Sequence, residues 1–120
     1  MSRNLRAIIP LGTVIADREL LFQRSGQAPQ IIRIQIGAPV PDPAYPGNSL
    51  CPVVLLGFER EEKLVLGGID SLQALTFALH ALSSFVQLCA RQHGGSLTWL
   101  SQPDLGLPKP STTDASCGRD

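Results

Sequence analysis

A few cysteine and histidine side chains are the residues of this 120-residue chain whose types and spacing could do chemistry. Cys89 and His93 stand four residues apart, so on a helix they would share a face and could supply two metal ligands. A structural zinc site needs four ligands, and no second pair stands elsewhere at a suitable spacing. We therefore predict no metal site and no cofactor, and we interpret the pair as a buried thiol and a histidine at a helix end.

Two other places could support nucleophilic catalysis, which requires a nucleophile, a base and an orienting group. His80 and Ser84 are one helical turn apart, but no acidic residue lies between residues 71 and 90 to orient the imidazole. Cys51 precedes Pro52 at the start of the apolar run CPVVLLGF, where burial of the thiol is the simpler interpretation. The sequence favours a protein that is not an enzyme, with a small enzyme that uses His80 or Cys51 as the alternative.

The stretch GIDSL, Gly68 to Leu72, resembles the motif that opens a helix in phosphopantetheine carrier domains. The resemblance implies an acyl or peptidyl carrier modified on Ser71 at the helix N-terminus, where a phosphate is favoured. A simpler interpretation is that Asp70 or Ser71 caps the helix, while Gly67 and Gly68 let the chain turn into it. Carrier domains resemble small all-helical bundles, whereas the segments before Ser71 have β-strand patterns, so we favour the helix cap.

The first strands follow from the period of the apolar side chains. Residues 30–37, QIIRIQIG, alternate between isoleucine and polar residues, which predicts a half-buried strand. Residues 13–24 have a mixed apolar pattern that is compatible with either a helix or a strand. Leu20 and Phe22 would fall on one face of an extended chain, so we favour a strand for this segment.

A proline-rich loop separates these strands from two more. Residues 38–49 contain four prolines, which exclude both a helix and an inner strand. The continuous apolar run 51–58 predicts a strand covered on both faces, and residues 63–68 predict a shorter strand that returns beside it. Between them, Glu59, Glu61 and Glu62 are expected at a solvated hairpin tip.

The period becomes helical from Asp70 to His93, and antiparallel strands joined by short turns leave one apolar sheet face to be covered. We predict an α+β fold, a two-layer sandwich in which an antiparallel four- or five-stranded meander is covered by one long C-terminal helix. Residues 1–100 are expected to form the single domain, with 1–12 as a loose lead-in and 101–120 as a disordered tail. The helix side chains predicted to face the sheet are Leu72, Leu75, Leu79, Leu82 and Val86.

Between Ser71 and Ala90 the helix has no charged residue, which is more apolar than one sheet-covering face requires. A membrane span is also long and uncharged, but glutamines, a histidine and hydroxyl groups lie mid-stretch, so we predict no membrane insertion. The second apolar side is then covered by the chain's own loops or by another subunit, and a symmetric homodimer is the commonest such assembly. The residues expected at that interface are Gln73, Ala74, Phe77, Ala81 and Leu88.

The charge composition excludes some classes of partner. Ten basic and ten acidic residues balance, and neither sign is concentrated in a run. A nucleic-acid footprint requires clustered lysine and arginine, so we predict no nucleic-acid partner. Three cysteines form no dense disulfide framework, and reduced thiols predict a cytoplasmic protein.

Three segments together, RIQIGAPVPDP, LCPVVLLGF and GGIDSLQALTFALHAL, resemble a family of small bacterial proteins of unknown function. The shared pattern is an Ile-Gly-x-Pro strand end, a cysteine near the third strand and Gly-(Ile/Val)-Asp-Ser-Leu-Gln-Ala-Leu opening the helix. The resemblance covers residues 30–90 and implies the fold class and a bacterial, cytosolic setting, but no activity. We expect a soluble, non-catalytic protein-interaction module, with a homodimer as one option. An immunity or inhibitor protein that binds a toxin or enzyme is the alternative suggested by small size.

Overall fold

A computed structural model of the chain describes residues 9–108, which form one antiparallel sheet and one helix. The helix packs on one face of the sheet, so the predicted α+β sandwich is confirmed. The elements are β1 (Val14–Gln23), β2 (Gln30–Gly37), β3 (Val40–Pro41), β4 (Ser49–Leu56), β5 (Glu62–Gly68), α1 (Ser71–Gln92) and β6 (Ser96–Thr98).

The strands lie in the spatial order β5, β4, β2, β1, β6, and every pair is antiparallel. Strand β3 pairs with the start of β4 on the side that β2 occupies further along. The predicted meander is therefore present in β1, β2, β4 and β5. The short β6 follows the helix and pairs with the end of β1 at the far side of the sheet.

Residues 13–24, for which the sequence favoured a strand over a helix, form strand β1. Its side chains alternate, with Leu20 and Phe22 buried against the helix and Glu19 and Leu21 exposed on the outer face. Strand β2 repeats the alternation with its isoleucines. Period-two burial of this kind fixes the register, because a one-residue slip would expose every core side chain.

Strand β4 is covered on both faces, as its unbroken apolar run predicts. Its odd-numbered residues 51, 53 and 55 belong to the core under the helix, whereas Leu50, Pro52 and Val54 are buried on the opposite face. Part of that cover comes from residues 9–12, because Leu11 lies against Gly37 beside Pro52. The Lys63 ammonium also donates to the Ile9 carbonyl. The predicted loose lead-in is thus packed over 9–12, and residues 1–8 lie outside the described chain.

Of the five helix side chains predicted to face the sheet, four are confirmed and one is wrong. Leu82 and Val86 are buried and Leu75 and Leu79 pack against the core. Leu72 is 70% exposed, whereas Ala74 is completely buried. The cause is the close approach of the first helical turn to β5, where a Cβ on Gly68 would collide with the backbone of Ala74. Only small side chains fit at that distance. The buried residues of the helix are Ala74, Ala78, Leu82, Val86, Cys89 and Ala90.

Residues 99–108, which we call the C-terminal strap, return across the sheet after β6. We predicted a disordered tail from residue 101, but Leu105 is buried and Leu107 packs against the core. These two apolar side chains are not the only contacts of the strap with the sheet. Arg18 of β1 also donates to the carbonyls of Leu105 and Gly106, both at 2.9 Å. Residues 109–120 lie outside the described part of the chain.

Candidate interaction site

An apolar flank of the helix stays uncovered by the described part of the chain. Phe77 and Leu88 are 44% and 45% exposed, and Ala81, one turn after Phe77, lies on the same side. These are three of the five residues expected at an interface. The other two have different surroundings, since Ala74 is in the core and the side chain of Gln73 closes the helix N-terminus.

This flank is turned toward β5. The opposite flank, with Leu79, Ser83 and Gln87, faces the C-terminal strap and the β1 side of the sheet. The helix starts against the end of β5 at Gly68 and finishes beside the start of β5, so it runs antiparallel to that strand and lies over β4 and β5.

The two edges of the sheet differ in protection. At one edge β6 pairs with residues 21–23 of β1, and the Arg18 side chain bonds to the C-terminal strap. At the other edge β5 pairs with β4 alone within the described residues 9–108. Strand β5 carries no proline, and Lys63 is its only basic residue, so it has few of the devices that keep natural edge strands from pairing. We call the outer edge of β5 together with Phe77, Ala81 and Leu88 the β5 edge surface.

The helix N-terminus shows what the GIDSL motif does locally. Asp70 is the N-cap, and its carboxylate accepts from the Gln73 amide at 2.8 Å. The Gln73 side chain in turn accepts from the Ile69 amide at 2.9 Å. Ser71 is the first helical residue and is exposed. We did not predict this role of Gln73, although an acidic N-cap followed by Gln three residues later is the signal of a capping box.

At the other end of the helix, His93 contacts a glutamate that we expected in solvent. His93 Nε2 lies 2.8 Å from Glu62 Oε2, and the side chains are only 9% and 15% exposed. The imidazole also stacks on Phe58, with the ring centroids 4.7 Å apart. The prediction of a solvated hairpin tip is therefore wrong for Glu62. This residue is the first of β5 and lies under the end of the helix. The pair connects β5 to the C-terminus of α1.

The thiols are placed for packing. Burial raises the pKa of Cys51, and burial followed by the nearby Glu62 carboxylate raises the pKa of Cys89 to about 11. A thiol that resists ionisation is a poor nucleophile and a poor metal ligand. No group of three metal-ligating side chains occurs among residues 9–108.

The structure does not bring the two catalytic candidates together. Cys51 lies in the core between the sheet and the helix, whereas His80 and Ser84 are exposed on the outer side of the helix. Ser71, the attachment point of the carrier alternative, sits on a sheet-and-helix fold rather than in a helical bundle. By length and composition α1 could also cross a membrane, a test that core helices of soluble domains pass as well.

Within residues 9–108 the fold is a two-layer α+β domain of one antiparallel sheet and one helix. The chain belongs to the family described as domain of unknown function DUF6968, whose model matches residues 16–109. No curated protein and no solved structure matches the chain.

Proposed function

We propose that the protein is a non-catalytic protein-interaction module that forms a homodimer through the β5 edge surface. The observation that carries the proposal is the contrast between the two edges of one sheet. At the β1 edge, β6 pairs with the end of β1 and the Arg18 side chain bonds to the C-terminal strap, whereas within residues 9–108 no strand pairs with the outer edge of β5 beneath the apolar helix flank. A bare strand edge is a template for pairing with another chain.

A two-fold axis perpendicular to the sheet, beside the outer edge of β5, gives both layers a partner. Paired strands lie about 4.8 Å apart, and a helix above the gap between β4 and β5 would then lie about 10 Å from its symmetry mate. Helices pack at about 8–10 Å, so the strand pairing and the helix packing are compatible in one assembly. The continuous sheet would have ten main strands, with two helices side by side on one face.

The side chains are complementary about such an axis. Val65 is the middle residue of β5, and Ala81 is near the middle of the helix that runs antiparallel to it. An axis that stands beside β5 at the level of these midpoints would bring Phe77 within about one turn of the partner subunit's Leu88. The small Ala81 would allow the helices to approach closely, and no charged side chain lies between residues 71 and 90 to oppose burial.

We also propose that the IGAPVPDP and GIDSLQAL motifs build this fold rather than a catalytic site. In IGAPVPDP, a Cβ on Gly37 would collide with the Leu11 backbone, and in GIDSLQAL a Cβ on Gly68 would collide with the Ala74 backbone. Both glycines therefore permit a close approach of two chain segments. The buried thiols Cys51 and Cys89 support a reducing, cytoplasmic setting.

The test is sedimentation velocity over a range of protein concentrations. The wild type should sediment as a dimer, and Leu88→Glu should shift it to a monomer, because a carboxylate would be buried without a partner. Leu72→Glu is the matched control, since it is the same substitution on an exposed leucine of the opposite helix flank, and it should leave the dimer intact. A monomeric wild type at all concentrations, or equal effects of the two substitutions, would reject the proposed interface.

A further inference from the structure

The C-terminal strap does not seal the sheet completely, and an apolar cleft remains beneath it. The cleft has a volume of about 170 Å³ and opens beside β1. Its walls come from the sheet, with Ile34 and Ile36, from the helix, with Leu79 and Leu82, and from Leu107 of the strap. An apolar cavity of roughly 150 Å³ is large enough for benzene, so this cleft can hold an apolar group of about six carbons.

A positive charge stands at the cleft. Arg18 lines the cleft from the face of β1 that is turned toward the helix. The next residues on that face are the apolar Leu20 and Phe22. The Arg18 guanidinium is held over the Trp99 ring, with the guanidinium carbon 3.8 Å from the ring centroid, while Nη1 donates to the two strap carbonyls. This geometry fixes the orientation of the guanidinium.

The charge of Arg18 has no counter-ion among residues 9–108. No carboxylate forms an ion pair with it in that part of the chain, and only Nη1 of its three nitrogens has an acceptor there. The neighbouring Asp17 is directed to the opposite face of β1, where it lies 3.7 Å from Arg33. A guanidinium has five N–H donors in a fork that matches a carboxylate, so donors remain for an anionic ligand.

We propose that this cleft binds a small monocarboxylate with an apolar body of about six carbons, such as a short-chain fatty acid. The apolar body lies between Ile34, Ile36 and the helix leucines, and the carboxylate accepts from Arg18 at the mouth. Since Leu107 and Gly106 form one wall, the bound molecule also holds the C-terminal strap against the sheet. The site lies on the β1 side of the helix, away from the β5 edge surface, so the two sites are independent.

The test uses hexanoate as the probe and follows the isoleucine methyl signals by NMR, together with the fluorescence of Trp99, the single tryptophan. Hexanoate should shift the Ile34 and Ile36 signals saturably, with a dissociation constant below about 1 mM. The neutral isostere hexanamide should bind at least about tenfold more weakly because it lacks the charge-assisted bonds to Arg18. Acetate should also bind at least about tenfold more weakly because it lacks the apolar body.

A matched pair of variants locates the site. Ala16→Leu places a larger side chain in the cleft wall and should weaken hexanoate binding at least about tenfold, whereas Ala28→Leu in the exposed β1–β2 turn should leave it unchanged. The proposal is overturned if hexanoate causes no saturable shift up to about 20 mM. It is equally overturned if hexanamide or acetate binds as well as hexanoate, which are outcomes that do not depend on either variant folding.

Discussion

Asp70 and Gln73 cap the single helix reciprocally. The Asp70 carboxylate accepts from the Gln73 amide, and the Gln73 side chain accepts from the amide just before Asp70. Two amides at the start of the helix thereby gain acceptors. Asp70 and Gln73 of the GIDSLQ stretch thus have a structural role that does not involve the Ser71 side chain.

The cap predicts a specific order of variant stabilities. Asp70→Ala should lower the free energy of unfolding by about 0.5–2 kcal/mol, because the Gln73 amide loses its acceptor. Asp70→Asn should retain most of the stability, since its side-chain oxygen still accepts, and Ser71→Ala should change it by less than about 0.5 kcal/mol. Urea unfolding measures all three. A Ser71→Ala loss as large as that of Asp70→Ala would contradict the assignment of the cap to Asp70.

The contact between His93 and Glu62 predicts a second ranking. His93→Phe keeps a ring on Phe58 but leaves the nearly buried Glu62 without its imidazole partner. The free energy of unfolding should fall by about 1–3 kcal/mol. His80→Phe is the matched control, because His80 is exposed on the same helix, and its effect should stay within about 0.5 kcal/mol. Equal losses for both variants in urea unfolding would show that the contact contributes nothing.

The Cys89 thiol predicts how stability changes at high pH. Its pKa is about 11 in the folded protein, whereas the ordinary value is 9.0, so the unfolded chain releases the proton first as the pH rises. Below pH 9 the thiol is protonated in both states and does not make the free energy of unfolding depend on pH. From pH 9 to 11 it should make the free energy of unfolding fall progressively. Cys89→Ala should show a smaller fall over that interval. Parallel stability curves for the wild type and Cys89→Ala would contradict the raised pKa.

The C-terminal strap predicts that two nearby leucines differ sharply. Leu105 is buried, whereas Leu100 is 75% exposed at a backbone φ of 52°. Leu105→Ala should cost about 2 kcal/mol or more and should change the fluorescence of Trp99, since the strap then loses its buried side chain. Leu100→Gly should instead stabilise by up to about 1 kcal/mol, because glycine adopts a positive φ without strain. Thermal unfolding followed by fluorescence gives both values, and similar losses would mean that the strap does not pack as described.

Periodicity was sufficient for the strands and for most of the core-facing side of the helix, but not for the first helical turn. Leu20 and Phe22 could be assigned to the core because a strand has only two faces. On the helix the predicted leucine stripe contacts the core except at Leu72, and Ala74 and Ala78 join it there. The burial of Ala74 depends on the close approach at Gly68, which is a tertiary contact. Leu72 was assigned to the wrong face for that reason.

The interface candidates show the same limit. Phe77, Ala81 and Leu88 were recognisable as surplus apolar surface, whereas the burial of Ala74 followed only from the close approach at Gly68. The His93–Glu62 contact joins residues 31 positions apart and has no local signal. The strap was hidden by its polar composition, because two leucines among proline, glycine and aspartate do not form a periodic pattern.

The most direct test of the proposed dimer is the distance between two copies of Val65. A spin label on Val65→Cys, in a Cys117→Ser background where Cys51 and Cys89 are buried, would report pairing of the β5 edges. We predict electron-spin broadening from labels within about 15 Å of each other, because paired strands lie about 4.8 Å apart. A label on Ser25→Cys at the β1–β2 turn, three strands from that edge, should remain about 30 Å or more from its copy and show none. A protein that sediments as a dimer but shows no broadening at Val65 would contradict the β5 edge surface as the interface.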